Sequence, residues 1–250
     1  MNALPEMTNL SIQLVAPALT TTTDVVVSTQ PGTSRILRLE ESDRLPYSDR
    51  SFREICLDTS FNPSWLFAEI ARLLKPGGLL IIRPLPESRL PGRVRHWFHA
   101  RATSQKLLGV DLVPTKASWR RTELCARRPL ERHDIALNAD EEAFAHALQT
   151  HGRGRFVAYG GSMRPWIPAG SSVWVRRMKD NLEPAKGRVL LVAQPGTSVL
   201  HRLRRKVSTP SGTVYICKGD RTRGSDLPVY RDAILGILEH MEPTPATDTK

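Results

Sequence analysis

A chain of 250 residues with 40% apolar and 24% charged side chains has room for one large domain or two compact ones. Its composition is that of a folded protein and excludes disordered and fibrous classes. The three cysteines, Cys56, Cys125 and Cys217, lie far apart with no C-x-x-C pair, which excludes a disulfide framework or a cysteine-rich zinc site, and the formal charge of +11 favours loose contact with nucleic acid, anionic lipid or acidic peptide without choosing among them.

The most apolar run, Leu73 to Leu85, is cut by Lys75, Pro76, Gly77, Gly78, Arg83 and Pro84, and a membrane span needs roughly 20 mostly apolar residues. The N-terminus lacks the layout of a secretory signal, because Thr20 to Asp24 interrupts its apolar stretch. The expectation is a soluble cytoplasmic protein, with peripheral membrane association the one membrane contact its charge allows.

In chain order, Asp24 to Ser28 and Arg35 to Leu39 read as short strands. Asn62-Pro63 then predicts a helix start, with Leu66, Phe67, Ile70, Leu73 and Leu74 at helical spacing, and Lys75-Pro76-Gly77-Gly78 predicts its stop. Leu79 to Ile82 reads as a buried strand, so strand, helix and strand suggest part of an α/β sheet. A helix over Arg93 to Lys106 and a closing strand or exposed basic segment over Trp119 to Arg128 follow.

Asn138 predicts the cap of a further helix, with Glu141 completing a capping box, Phe144, Ala147 and Leu148 as its apolar stripe, and Gly152 as its end. Beyond Gly154 the texture is that of a small all-β domain. Strands are expected at Phe156 to Tyr159, Ser172 to Arg176, Val189 to Ala193, Ser198 to Leu203, Thr213 to Cys217 and Ile234 to Leu238, separated by glycine and proline turns. The fold class expected is therefore α/β plus all-β. The domains run over 1–133 and 134–243, with a disordered tail at 244–250.

In the β-rich half, Gly160-Gly161-Ser162-Met163-Arg164-Pro165 sets a serine in a glycine-flanked turn, where backbone N–H groups are able to face a substrate carbonyl. Val199-Leu200-His201-Arg202-Leu203 sets a histidine in an apolar strand, and Cys217-Lys218-Gly219-Asp220 and Ser225-Asp226 supply two carboxylates. A serine hydroxyl needs a base to remove its proton, and a histidine base works best when a carboxylate fixes its tautomer. By spacing alone the pattern is weak, since some Ser/His/Asp combination is expected in a chain with seven histidines.

The ordered blocks Gly161-Ser162-Met163-Arg164-Pro165, Ile167-Pro168-Ala169-Gly170, Gly187 to Val192, His201-Arg202, Lys218-Gly219-Asp220 and Ser225-Asp226 resemble the type I signal peptidase and LexA-like serine protease superfamily, in its histidine branch. The resemblance covers about residues 153–240. It implies a signal-peptidase-like β domain in which Ser162 is the nucleophile, His201 the general base and Asp226, in preference to Asp220, the residue orienting the histidine. It places Gly161, Met163 and Pro165 at the oxyanion and substrate-binding positions. The implied reaction is serine endopeptidase cleavage of a leader or precursor peptide, with a peptide or protein as partner. Gly160 stands where many signal peptidases have an oxyanion-assisting serine, Gly170-Ser171 and Gly187-Arg188 replace Gly-Asp pairs, and the flanking membrane segments are missing. Trp166 and Trp174 are candidates for a substrate groove, with core packing as the plainer role.

The first half carries a second resemblance. Ser42 to Ile55 and Ala68 to Leu79 are similar to the "L-P-F-x-D-x-S-F" and "E-x-x-R-V-L-K-P-G-G" passages of class I S-adenosylmethionine-dependent methyltransferases, over roughly residues 34–85. This implies a shortened Rossmann-like methyltransferase domain. The G-x-G-x-G turn that lets backbone approach the cofactor is absent before Ser42, and no acidic ribose ligand is identifiable. No cofactor is expected, S-adenosylmethionine being the single candidate with Asp43 a lone contact, and no metal. Arg120, Arg121, Arg127, Arg128 and Arg132, with Arg202, Arg204, Arg205 and Lys206, form basic patches, but without helix-turn-helix or stacking motifs nucleic acid is not expected as a partner. The alternatives to an endopeptidase are an inactive peptide-binding or scaffold protein, a self-cleaving regulator and a methyltransferase.

Overall fold

The computed structural model describes residues 9–14, 22–30, 33–40, 44–59, 64–84, 101–118, 123–179 and 182–243. The chain forms two compact units, one of residues 1–129 with 209–211 and one of 130–208 with 212–250. Mixed α/β structure with two sheets and few helices is the architecture.

The first unit is a seven-stranded sheet in the order β3-β2-β1-β4-β5-β7-β6. Its strands are β1 (Asn9–Leu14), β2 (Thr22–Gln30), β3 (Thr33–Glu40), β4 (Phe52–Thr59), β5 (Leu74–Pro84), β6 (Val113–Ser118) and β7 (Glu123–Arg127). β1, β4 and β5 are parallel, while β2, β3, β7 and β6 join antiparallel. Helix α1 (Ser64–Leu73) is the crossover between β4 and β5, as two parallel neighbours require. Its Leu66, Phe67, Ile70 and Leu73 are buried with Phe52, Ile55 and Leu57 of β4 and Leu80 of β5.

The paired motifs of the first half turn out to hold this layer together. Glu69, buried on α1, accepts the Leu45 N–H at 2.7 Å and the Arg72 Nε–H at 2.8 Å. Arg72 also donates to the Tyr47 carbonyl at 2.9 Å and pairs with Asp49, which holds the Asp49 carboxyl below the usual range. Arg128 donates to the free carbonyls of Ala71 and Leu74 where α1 ends. Lys75-Pro76-Gly77-Gly78 does end the helix, yet these residues belong to β5, where the register with β4 jumps from Phe52–Leu74 to Glu54–Leu79. Residues 101–108 are helical; the rest of the Arg93–Lys106 expectation, the Asn62-Pro63 cap, Ser42, Asp43, Arg120 and Arg121 and the 244–250 tail lie outside the described residues.

The second unit is a six-stranded sheet in the order β12-β11-β10-β13-β9-β8. Its strands are β8 (Arg153–Val157), β9 (Ser172–Arg177), β10 (Val189–Gln194), β11 (Thr197–Thr209), β12 (Gly212–Lys218) and β13 (Ile234–Glu242). The pairs β8/β9, β9/β13, β13/β10 and β10/β11 are antiparallel. The strand expected at Phe156 to Tyr159 instead lies at Arg153–Val157, because Gly160 at φ 91° turns the chain out of the sheet.

Helix α2 (Ala139–His151) runs from Asn138, whose side chain accepts the Glu141 N–H at 2.9 Å, to Gly152 in the left-handed region at φ 75°. Glu141 does not return the bond to the cap. Its carboxylate accepts the N–H of Ser198 at 2.7 Å and the hydroxyl of Thr197 at 2.9 Å, tying the helix start to β11. α2 packs on β8, β9 and β13 through buried Ala145 and Leu148.

Candidate functional site: a serine, a histidine and a carboxylate

β8 delivers the chain into the segment Ala158 to Ser171, which is closed by bonds at both ends. The Ala158 N–H donates to the Ser171 carbonyl and the Gly170 N–H to the Ala158 carbonyl, each at 2.8 Å. Within this segment Met163 and Ile167 are buried beside Val173 of β9. Two apolar anchors therefore fix the turn that carries Ser162, while Gly161 stays exposed. The N–H groups of Ser162 and Met163 donate to no acceptor among the described residues, which leaves them free for a developing oxyanion.

His201 lies on β11 opposite Leu190 of β10 and is 7% exposed. Its Nε2 stands 2.9 Å from Ser162 Oγ, and its Nδ1 stands 2.9 and 2.8 Å from the two oxygens of Asp226. A carboxylate only accepts, so Nδ1 carries the proton that it donates to Asp226, and Nε2 is left as the acceptor for the Ser162 hydroxyl. Asp226 is held in turn by its N–H, which donates to the Cys217 carbonyl at 2.9 Å. Three groups distant in the chain thus meet in the hydrogen-bonding order that nucleophilic serine chemistry requires.

Asp220 is not brought to the histidine. Its carboxylate accepts from Arg202 at 2.8 and 3.0 Å and from Arg204 at 2.8 Å, and the Arg202 bonds hold its carboxyl below the usual range. Its candidacy as the orienting acid is corrected by this pairing. The physical reason is the strand period: Arg202 and Arg204 share the face of β11 opposite to His201 and Leu203, so a carboxylate bound to both arginines is turned away from the imidazole. The Met163 side chain is likewise corrected as a substrate contact, since it is 4% exposed in the core.

Two positions complete the site that residue chemistry alone passed over. The Arg221 N–H donates to the Ser162 carbonyl at 2.8 Å and fixes the backbone of the serine. A Cβ placed on Gly219 would lie 2.9 Å from His201 Nε2 and 2.9 Å from the Ser162 carbonyl oxygen, so a side chain there would occupy the space in which the pair meets. The Lys218-Gly219-Asp220 wording held this signal in its glycine rather than in its aspartate.

A cleft of about 810 Å³ is walled by Arg164, Pro165, Trp166, Pro168, Arg202, Arg204, Asp220 and Arg221, and it is tied to the serine through Arg164, two residues on, and Arg221, whose N–H holds the Ser162 carbonyl. Trp166 is 70% exposed there, whereas Trp174 of β9 packs under Arg155 of β8, whose guanidinium lies 4.9 Å from its ring centroid. Several cations of the basic patches are spent on internal partners: Arg127 on the Gly77 carbonyl, Arg132 on Glu142 and the Ile135 carbonyl, Lys206 on Glu183. No group of three or more metal-ligating side chains occurs among the described residues, and no helix among them is long and apolar enough to cross a membrane.

No family model and no curated protein matches the chain. Among solved structures, it is similar to the antibiotic-resistance methyltransferase Kmr at 15% identity and a TM-score of 0.26, with 32% of this chain and 51% of that one covered. It is similar to the aminoglycoside resistance methyltransferase NpmB1 at 15% identity and a TM-score of 0.29, covering 38% and 60%. A third, the 4+2 cyclase SpnF, is 17% identical at a TM-score of 0.27, covering 37% and 54%. The chain spans between 51% and 60% of the length of these structures. They are methyltransferases and a cyclase rather than peptidases, and the expectation of a serine endopeptidase is corrected accordingly.

Proposed function

We propose that the second unit carries an activated serine, Ser162, whose chemistry is acyl transfer. The observation that carries this reading is the Ser162 Oγ···His201 Nε2 distance of 2.9 Å with Asp226 behind the ring at 2.8 Å. Ser162 Oγ attacks an acyl carbon as its proton passes to His201 Nε2. The new Oγ–C bond forms, the bond from carbon to the leaving group breaks, and His201 returns the proton to that group. An acceptor deprotonated by His201 then takes the acyl group and frees Ser162. Asp226 holds the imidazole in the needed tautomer, and the N–H groups of Ser162 and Met163 stabilise the oxyanion.

A fluorophosphonate probe reports on such a serine directly, since Oγ displaces fluoride from phosphorus. The expected result is stoichiometric modification at Ser162, absent in Ser162→Ala and slowed at least a hundredfold in His201→Ala. Equal labelling of wild type and Ser162→Ala overturns the reading.

A second reading belongs to the first unit. The parallel set β1-β4-β5 with antiparallel β7 beside it favours a methyltransferase-like sheet, in which a small molecule sits at the carboxyl ends of the strands. S-adenosylmethionine does not fit the residues present. Between β1 and β2 the chain reads Val-Ala-Pro-Ala-Leu-Thr-Thr without a glycine, and β2 closes on Gln30 rather than an acidic residue. Titration calorimetry with the cofactor is expected to give flat heats, and saturable heat would restore the methyltransferase reading.

A further inference from the structure

The cleft walled by Arg164 and Arg221 has a chemistry of its own. Arg202 and Arg204 share the carboxylate of Asp220, and Arg164 and Arg221 have no carboxylate partner among the described residues, so four guanidiniums face one acid and the lining carries a net charge of +3. Both free guanidiniums belong to the serine's immediate surroundings. Arg164 lies two residues beyond it, and Arg221 holds the Ser162 carbonyl through its own N–H. Guanidiniums take carboxylates and phosphates through paired N–H donors, and a cleft lined by one sign of charge concentrates the opposite one. The exposed ring of Trp166 adds a flat apolar surface on the same wall.

We infer that this cleft selects an anionic substrate, one that carries a carboxylate or phosphate near the acyl carbon presented to Ser162, with Arg164 and Arg221 as the residues that hold it. The inference rests on the acyl-transfer reading and adds the class of its substrate. The internal pairing of Arg202, Asp220 and Arg204 keeps that part of the wall rigid, so that selectivity lies with the two unpaired side chains.

The test uses the full chain and four fluorophosphonates alike except for the tail: carboxylate, phosphate, neutral amide and trimethylammonium. At low ionic strength the anionic tails are expected to modify Ser162 about fivefold to tenfold faster than the amide, and the ammonium tail more slowly. The ratio of anionic to neutral rate is expected to fall toward one in Arg164→Gln/Arg221→Gln and in high salt, and to recover in part in Arg164→Lys/Arg221→Lys. Which anionic tail reacts faster distinguishes a carboxylate from a phosphate substrate. Equal rates for all four tails overturn the inference and leave the serine reading in place. If no tail reacts, the serine reading falls, and the cleft is decided by binding alone. Glutarate or inorganic phosphate should shift the Trp166 indole resonance in the wild type and not in the double glutamine variant, and a wild-type resonance unmoved by either anion ends the inference.

Discussion

The two aspartates after β12 are chemically alike, and their partners separate them. The Asp226 carboxylate pairs with the imidazole, so Asp226→Asn leaves the ring free to present the wrong tautomer to Ser162, and the rate of probe modification is expected to fall by about a hundredfold to ten-thousandfold. Asp220→Asn removes the anion between Arg202 and Arg204 and is expected to change that rate by less than about threefold while increasing the preference for anionic tails. A reversed order of the two variants would exchange the roles assigned to them. Gly219→Ala is the sharper geometric probe: its methyl would stand 2.9 Å from His201 Nε2, and a displacement of about 1 Å at such a site costs roughly a hundredfold. An unchanged melting temperature with a slowed rate would place that effect at the site rather than in folding. Ser162 and His201 were legible in the sequence through the ordered run of motifs around them, from Gly161-Ser162-Met163-Arg164-Pro165 to His201-Arg202, rather than through spacing or residue type. The choice of aspartate was not, since it depends on which face of β11 each loop meets.

At the scale of elements, turns and caps were the most readable features, because they rest on local backbone chemistry. Asn138 and Gly152 bound α2 as expected, and the glycines of the turns at Gly170, Gly196 and Gly212 all have positive φ. β1 was not recognised, although Asn-Leu-Ser-Ile-Gln-Leu alternates polar and apolar residues as a half-buried strand does; what no local pattern announces is its parallel pairing with β4, more than thirty residues away. Gly236 shows how tightly the second unit's elements fit. A Cβ there would lie 2.4 Å from Val175 Cγ1 and 2.8 Å from the Arg176 carbonyl, so Gly236→Ala is expected to cost about 1–3 kcal/mol in denaturant unfolding.

β12 also sets an alkaline limit. Burial pushes the Cys217 thiol from 9.0 up to about 12, and burial together with the Glu183 hydrogen bond raises Tyr215 above its ordinary 10.0. Above the unfolded values the folded state holds more protons than the unfolded state, so stability falls as pH rises through the range 9.0 to about 12. Equilibrium unfolding across that range should show this decline, and Cys217→Ala should flatten it. A wild type whose stability is constant from neutral pH to the upper end would refute the argument. The same burial makes Cys217 inert to alkylating reagents in the folded chain at neutral pH.

For the whole molecule, the division near residue 130 bears on where function resides. The serine, the histidine, the carboxylate and both unpaired arginines all belong to the second unit. So does the core that supports them, in which Leu130 joins Val175, Leu190, Leu203, Tyr215 and Ile237. The start of this unit is tied down by its own contacts, since the Leu130 N–H donates to the Pro228 carbonyl and the Tyr230 N–H to the Leu130 carbonyl, each at 2.9 Å. A domain of roughly 120 residues buries enough surface to fold by itself. A fragment of residues 130–243 is therefore expected to unfold in one cooperative transition and to react with the probe within about twofold of the full chain's rate. Residues 1–129 should show no reaction, because none of the three reacting side chains lies there. A fragment 130–243 that folds cooperatively yet is labelled more than tenfold slower would show that the first unit shapes the serine site.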